Sequence, residues 1–291
     1  MGNLMKRYAI VLGLMAVSVF AATPALAQDR PLQTPDADIV APGTLRVEGG
    51  FDFLQSIQYP LSGISGDETS IGVLDLRMGL ARRVEVQLQG TVQNYLQVHS
   101  QVPAPVTPTL SGNNSTNDVG DFSLWTKILL RDEHRAPAVG FRFGFLMPNT
   151  NQSRGIGNNA TNVYASVILQ KHLGRIKAYS NTGIGILQAP NAKFSQNDEL
   201  IYGGALEYPV THRLSLVGDV SGQYSSRTLT PALYGTESRG QGRMGIRISA
   251  GGFFWDVAAV AGVYPNDPST GITFGVSRDI HIFGRHSQKT D

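Results

Sequence analysis

No cysteine occurs in the 291 residues, so a disulfide framework is excluded and stability must come from non-covalent structure. No apolar run beyond residue 22 approaches the ~20 residues that a helical membrane span requires. Excess charge is scarce as well. The formal net charge is +2, and Lys6 and Arg7 supply it, since residues 1–27 contain no Asp or Glu. Without them the chain is neutral and carries no electrostatic footprint for nucleic acid. The 6 histidines lack a paired-ligand spacing such as His-x-x-x-His, so no metal is expected. Gly155-Ile156-Gly157 lacks the strand-to-helix context of a phosphate loop and reads as turn residues. No cofactor is expected.

What is present begins with an address. Lys6 and Arg7 precede an apolar run from Tyr8 to Ala22, and Ala25-Leu26-Ala27 offers a cleavage site before Gln28. Residues 1–27 are therefore expected to be a signal peptide, and the rest to be exported. From there the chain repeats one unit of about ten residues in which apolar and polar positions alternate. In Thr44 to Phe53 the odd positions are Leu45, Val47, Gly49, Phe51 and Phe53, and the even ones carry every charge. Successive strand side chains point to opposite faces, so each segment has one face suited to hydrocarbon and one suited to water.

About twelve such segments are expected, near 43–54, 69–80, 84–96, 119–130, 138–148, 161–171, 176–187, 199–209, 214–224, 240–249, 253–263 and 270–282. Their connections alternate. Tight turns at Ala81-Arg82-Arg83, 131–137, 172–175, 210–213 and Gly251-Gly252 follow longer links at 55–68, 97–118, 149–160, 188–198, 225–239 and 264–269. Short periplasmic turns opposite long external loops, with an even strand count, describe an all-β antiparallel transmembrane barrel in an outer membrane. The expected organisation is a signal peptide at 1–27, a periplasmic N-terminal segment at 28–42, the barrel at 43–283 and a polar tail at 284–291. A soluble β-sandwich also keeps charge off its core faces, but it does not explain the loop asymmetry.

Parity assigns the faces. Leu74, Leu76, Met78, Phe141, Phe143, Phe145, Leu214 and Leu216 fall on the outward side. Asp75, Arg77, Glu85, Asp121, Lys127, Arg142, Glu207, Asp219, Arg243 and Arg247 fall on the inward side and are the candidate lumen-lining residues. One reading sets Arg77, Arg142, Arg243 and Arg247 against the carboxylates across an open bore, creating a transverse field. The other pairs these groups with one another beneath folded-in loops that close it. The basic turn residues Arg82, Arg83, Arg131, Arg135, Arg175 and Arg213 suit a rim that meets anionic headgroups. Asp256 and Arg278 each force a choice of face near a strand end.

Val119 to Lys127 (VGDFSLWTK), Phe141 to Pro148 (FRFGFLMP) and Tyr202 to Pro209 (YGGALEYP), extended by Leu214 to Gly222 and Gly262 to Ser277, resemble the outer-membrane barrels of the phenol meta-pathway degradation-like family. The resemblance implies a channel-like or transporter-like protein passing small solutes, aromatic or modestly apolar ones among them. It implies interior roles for Asp121, Lys127 and Asp219, with outer-membrane lipids and the barrel-assembly machinery as partners. One departure is the end of the chain, where Phe283 is followed by Gly284 to Asp291. Two alternatives stay open: a plugged structural or adhesion barrel whose external loops bind a partner, and a lipid-active enzyme. The second needs a serine held by a histidine, and His99-Ser100, neighbours on an extended chain, would point apart.

Overall fold

The computed structural model describes residues 30–191 and 196–283. The expected signal peptide at 1–27 and the expected polar tail at 284–291 lie outside the described residues. The strands are β1 (Thr44–Tyr59), β2 (Ile64–Ala81), β3 (Val84–Gln101), β4 (Ser115–Asp118), β5 (Phe122–Arg131), β6 (Ala138–Met147), β7 (Asn162–Leu173), β8 (Ile176–Gln188), β9 (Gln196–Pro209), β10 (Leu214–Tyr224), β11 (Arg239–Ala250), β12 (Phe253–Gly262) and β13 (Thr270–His281). Every pairing is antiparallel, and β1 pairs with both β2 and β13, which closes the sheet on itself. Because β4 and β5 both pair with β3, they share one place in the wall, and the barrel has twelve strand positions.

Closure leaves no unpaired edge in hydrocarbon, the condition for a sheet to span a bilayer. The outer face meets the other condition. Phe51, Phe53, Phe143, Phe145, Leu216, Trp255, Ile272 and Phe274 are exposed there, and exposed apolar side chains around a closed barrel form a lipid-facing belt. On the inner face the largest side chains with no solvent exposure include Lys127, Gln87, Glu48 and Glu85. This protein is polar inside and apolar outside, the inverse of a soluble domain. Asp256 faces inward and Arg278 outward, where the Arg278 guanidinium lies 4.9 Å from the Phe253 ring centre. That is a snorkelling position at the periplasmic boundary.

Strand bounds differ from the sequence reading at the external end. The expected loop at 55–68 is instead a turn at 60–63, because β1 and β2 run past the belt. A bulge at Ser56 (φ 56) and another at Gly72 (φ 67) shift the side-chain phase, and above the belt the pattern inverts, with apolar side chains packed inward under the cap and polar ones outward. Likewise β3 reaches Gln101, and the expected loop at 97–118 shrinks to 102–114. The strand expected at 119–130 starts at Phe122, and the short β4, within the expected loop, precedes it across a break at 119–121.

The external loops knit into a cap. Ser62 Oγ donates to Gly155 O (2.6 Å), Thr109 N to Ser153 O (2.8 Å), Gln152 Nε2 to Pro190 O (3.0 Å) and Asn158 Nδ2 to Gly235 O (2.6 Å). Gly155 takes a left-handed conformation (φ 82) after the short 3-10 turn 152–154, which a residue without Cβ allows at no steric cost. Ile156 then seals an apolar cluster with Leu54, Ile57, Ile64, Leu96, Val98 and Val260.

Candidate functional site: a plugged polar lumen

Residues 30–42 sit inside the periplasmic half of the barrel and touch strands all around it. Three prolines, Pro31, Pro35 and Pro42, disfavour helix and keep this segment extended. Its free backbone N–H groups must find acceptors, and the wall supplies them. Gln33 N (2.9 Å), Thr34 N (2.9 Å) and Thr34 Oγ1 (3.0 Å) donate to Asp219 Oδ2 on β10. Ala37 N donates to Gln170 Oε1 on β7 (2.9 Å), and Val40 N to Glu85 Oε2 on β3 (2.7 Å). In the other direction Arg247 Nη2 donates to Arg30 O (2.7 Å) and Arg243 Nη1 to Pro31 O (3.0 Å).

Ion pairs fix the middle of the plug. Asp36 meets Lys127 at 3.3 Å and Lys177 at 2.5 Å, while Lys127 also meets Glu85 at 3.0 Å and Lys177 meets Asp38 at 2.7 Å. Burial would raise the Asp36 pKa, but the Lys177 and Lys127 ammonium groups hold it well below the usual carboxylate range. Arg30 lies near Asp52 (3.6 Å) and Asp256 (3.8 Å), and its Nη2 donates to Thr273 Oγ1 (2.8 Å). Two small apolar contacts add to this. Leu32 packs with Tyr179, Ala205 and Val217, and Ala37 with Ala138 and Ile168.

The ten candidate lumen residues are placed as follows. Asp75 and Arg77 pair at 2.5 Å low on β2. Glu85, Lys127, Asp219, Arg243 and Arg247 hold the plug, and Glu207 bonds Arg247 Nη1 (2.9 Å). Arg142 donates to Gln89 Oε1 (2.7 Å) and lies 3.9 Å from the Trp125 ring centre. Asp121 also borders both lumen cavities, from a different backbone setting. It belongs to no strand, falling in the break before β5, and its Oδ1 accepts from Asn149 N (2.9 Å) and Thr150 N (3.0 Å), so it anchors an external loop. The inward groups thus do not face one another across an empty bore. Arg30, Asp36, Asp38, Gln170 and Lys177 complete the network, and the sequence reading did not single them out. Lys127 on β5 and Lys177 on β8 meet at Asp36 only through closure of the barrel, and no local pattern in the sequence marks that meeting.

Above the plug lies a chamber of about 570 Å³ reaching the cap, bordered by Gln33, Tyr59, Asp121, Trp125, Ile156, Tyr164, Glu237 and Arg239. Trp125 and Tyr164 stack with ring centres 5.4 Å apart. Room for these rings comes from the neighbouring strands: a Cβ on Gly144 would come within 2.6 Å of the Trp125 ring, and one on Gly185 within 3.0 Å of Tyr164. A second cavity of about 350 Å³ runs beside the plug along β2 and β3, between Arg30, Leu32, Asp52, Asp75, Arg77 and Arg243. The two cavities share Gln33, Asp121 and Ser123, so the plug's outer end sits at their junction. Elsewhere, His99 faces Asp67 at 3.7 Å while Ser100 bonds Ser65 (2.7 Å), and no Ser–His pair forms there.

A closed antiparallel barrel with an apolar belt, a charged lumen and an internal plug defines a membrane-spanning barrel of the outer-membrane class. Residues 28–277 match the family described as "Putative MetA-pathway of phenol degradation", and the chain belongs to that family. Among solved structures, an outer-membrane channel from Pseudomonas putida F1 is similar in fold, with TM-score 0.61 and 16% identity over 86% of this chain and 100% of that one. The translocator domain of the autotransporter NalP from Neisseria meningitidis aligns with TM-score 0.47 and 11% identity, over 95% of this chain and 97% of that one. No curated protein gives a significant match.

Proposed function

We propose that this barrel is an outer-membrane channel or transporter for small solutes, narrowed at rest by its own N-terminal segment. The observation that carries the reading is the meeting of two cavities at Gln33, on the outer end of a plug held largely by hydrogen bonds and ion pairs. Such contacts can be exchanged for water one by one, whereas a close-packed apolar core cannot. A solute would enter through the cap into the chamber, where Trp125 and Tyr164 offer ring faces and Glu237 and Arg239 offer polar ones. It would then pass beside the plug, between Asp52 and Asp75 on one hand and Arg77 and Arg243 on the other. Opposed charges in a low-dielectric wall focus the field on whatever passes. The family resemblance and the aromatic chamber wall support aromatic or modestly apolar solutes.

Export by the N-terminal signal, insertion by the barrel-assembly machinery and residence among outer-membrane lipids complete the proposal. Liposome swelling with a graded panel of sugars and aromatic acids tests it. Uptake that falls with solute size is the expected result, and loss of swelling for every solute would remove the channel. The second reading, a structural or adhesion barrel, is favoured by closure at both ends, cap above and plug below. Planar-bilayer recordings without current, both for the native chain and for one lacking residues 28–38, would establish it instead.

A further inference from the structure

Asp36, Asp75 and Glu85 each meet a Lys or Arg within 3.0 Å. Glu199 does not. It lies on β9 with 2% of its surface exposed, and among the described residues no Lys, Arg or His pairs with it. Its charged neighbour is another carboxylate, Glu237, which is itself taken up by Arg239 (2.6 Å) and by Gly235 N (2.7 Å). A carboxylate taken out of water without a cation is costly to bury. The register fixes where this happens: Trp125, Gly144, Tyr164, Gly185 and Glu199 are successive cross-strand partners. Glu199 thus stands level with the stacked rings of the chamber.

Asn197, two residues earlier and so on the same face, is fully buried as well. Its Nδ2 reaches Glu199 Oε1 (2.8 Å), Ser225 Oγ (3.0 Å), Thr236 O (3.0 Å) and Thr236 Oγ1 (3.4 Å). Two hydrogens cannot serve four acceptors. Meanwhile Asn197 Oδ1 and Glu199 Oε2 have no hydrogen-bond partner among the described residues. A carboxamide turns over without changing shape, and with Oδ1 on the crowded side, oxygens from three segments meet around one centre. They are a carboxylate, an amide carbonyl, a backbone carbonyl and two hydroxyls, the donor set of a hard cation. Calcium fits it better than magnesium. Magnesium keeps several waters in a strict octahedron, whereas calcium takes protein oxygens in irregular geometry, and Asn197, Glu199 and Thr236 are buried at 2% exposure or less.

We propose that Asn197, Glu199, Ser225 and Thr236 form a calcium site that pins the loop 225–238 to β9 at the chamber wall. The same loop holds the cap, where Asn158 Nδ2 donates to Gly235 O (2.6 Å) and Asn191 Nδ2 to Pro231 O (3.1 Å) and Ala232 O (3.0 Å). Calcium therefore tightens the roof of the chamber, and its removal loosens it. The site stands apart from the channel reading and serves an adhesion barrel equally well.

The test uses the mature chain refolded in detergent without lipopolysaccharide, whose phosphates bind calcium themselves. After treatment with EGTA and exchange into chelator-free buffer, calcium chloride and magnesium chloride are titrated separately by calorimetry. Hydrogen exchange of peptides covering 225–238 is followed in parallel. The expected result is one calcium per chain, with a dissociation constant on the order of 10⁻⁴ to 10⁻³ M as in extracellular sites, severalfold slower exchange in calcium, and a weaker response to magnesium. Glu199→Gln keeps the shape and removes the charge, so it should abolish both calcium effects. No binding and no change in exchange for the native chain overturns the site and leaves Glu199 a protonated acid. An equal response to magnesium overturns it too, as does a Glu199→Gln chain that binds like the native one. Should that variant fail to assemble, the calcium and magnesium titrations of the native chain decide alone.

Discussion

At the residue scale, face decides everything. Phe143 is 45% exposed to lipid and Arg142, its neighbour, is buried against Trp125. Phe143→Arg would put a charge in hydrocarbon at about 2–4 kcal/mol, whereas Arg142→Gln gives up a cation–π contact and a hydrogen bond, under about 2 kcal/mol. The gel-shift temperature of the unboiled protein should fall much further for the first, and equal falls would mean the faces are misassigned. This alternation was legible in the sequence because strand period and hydrophobic period coincide. The break at 119–121, which takes Asp121 out of the strand, was not, because it has no marker beyond a single glycine. In the turn after β5, Glu133 offers a pH test. Burial raises its pKa, but the His172 N–H, the His172 imidazole and Lys171 together pull it down to about 2. A depressed carboxylate stabilises the fold above its unfolded value near 4.5 and loses that contribution as pH falls through 2. Glu133→Gln should therefore lower the unfolding temperature at pH 7 and make no difference near pH 2; a pH-independent effect would contradict the ion-pair role.

At the element scale, the plug is the instructive case. Residues 30–42 read as a periplasmic linker because three prolines and mixed polarity give no strand or helix period. Their place became visible once the barrel was closed, since the partners Glu85, Gln170, Asp219 and Arg247 are scattered over four strands and converge through closure alone. The strands themselves were legible to within a few residues over β6 to β13, where each crosses the belt once and turns tightly. They were not legible above the belt, where bulges shift the phase and the apolar positions of β1 to β3 turn inward under the cap, so the sense of the alternation reverses. The same contacts give the plug a testable weak point. Asp219 accepts three hydrogen bonds from Gln33 and Thr34, and bonds to a charged acceptor contribute about 1.5–3 kcal/mol each. Asp219→Ala should loosen the outer end of the plug and produce longer or larger open events in planar bilayers, while a current trace identical to that of the native chain would show that the plug's outer end does not control passage.

At the scale of the whole molecule, closure is the stabilising event, and it occurs where β1 meets β13. That seam runs from Thr44↔His281 to Gln55↔Thr270, and at its periplasmic end Arg46 holds Asp279 through two hydrogen bonds of 2.6 Å. The ion pair is conspicuous, but the Asp279 side chain is 34% exposed, and solvent screening reduces such pairs to about 1 kcal/mol or less. The backbone ladder is different. Val276 faces lipid, paired with Gly49 on one side and Trp255 on the other, and a backbone group left unsatisfied in hydrocarbon costs several kcal/mol. Proline there removes a donor from the wall. Asp279→Ala should thus shift the gel-mobility transition by a few degrees, whereas Val276→Pro should abolish the compact, faster-migrating unboiled form. If Val276→Pro still migrates as a compact barrel, or Asp279→Ala alone prevents it, then side-chain pairing rather than the continuous ladder closes this protein.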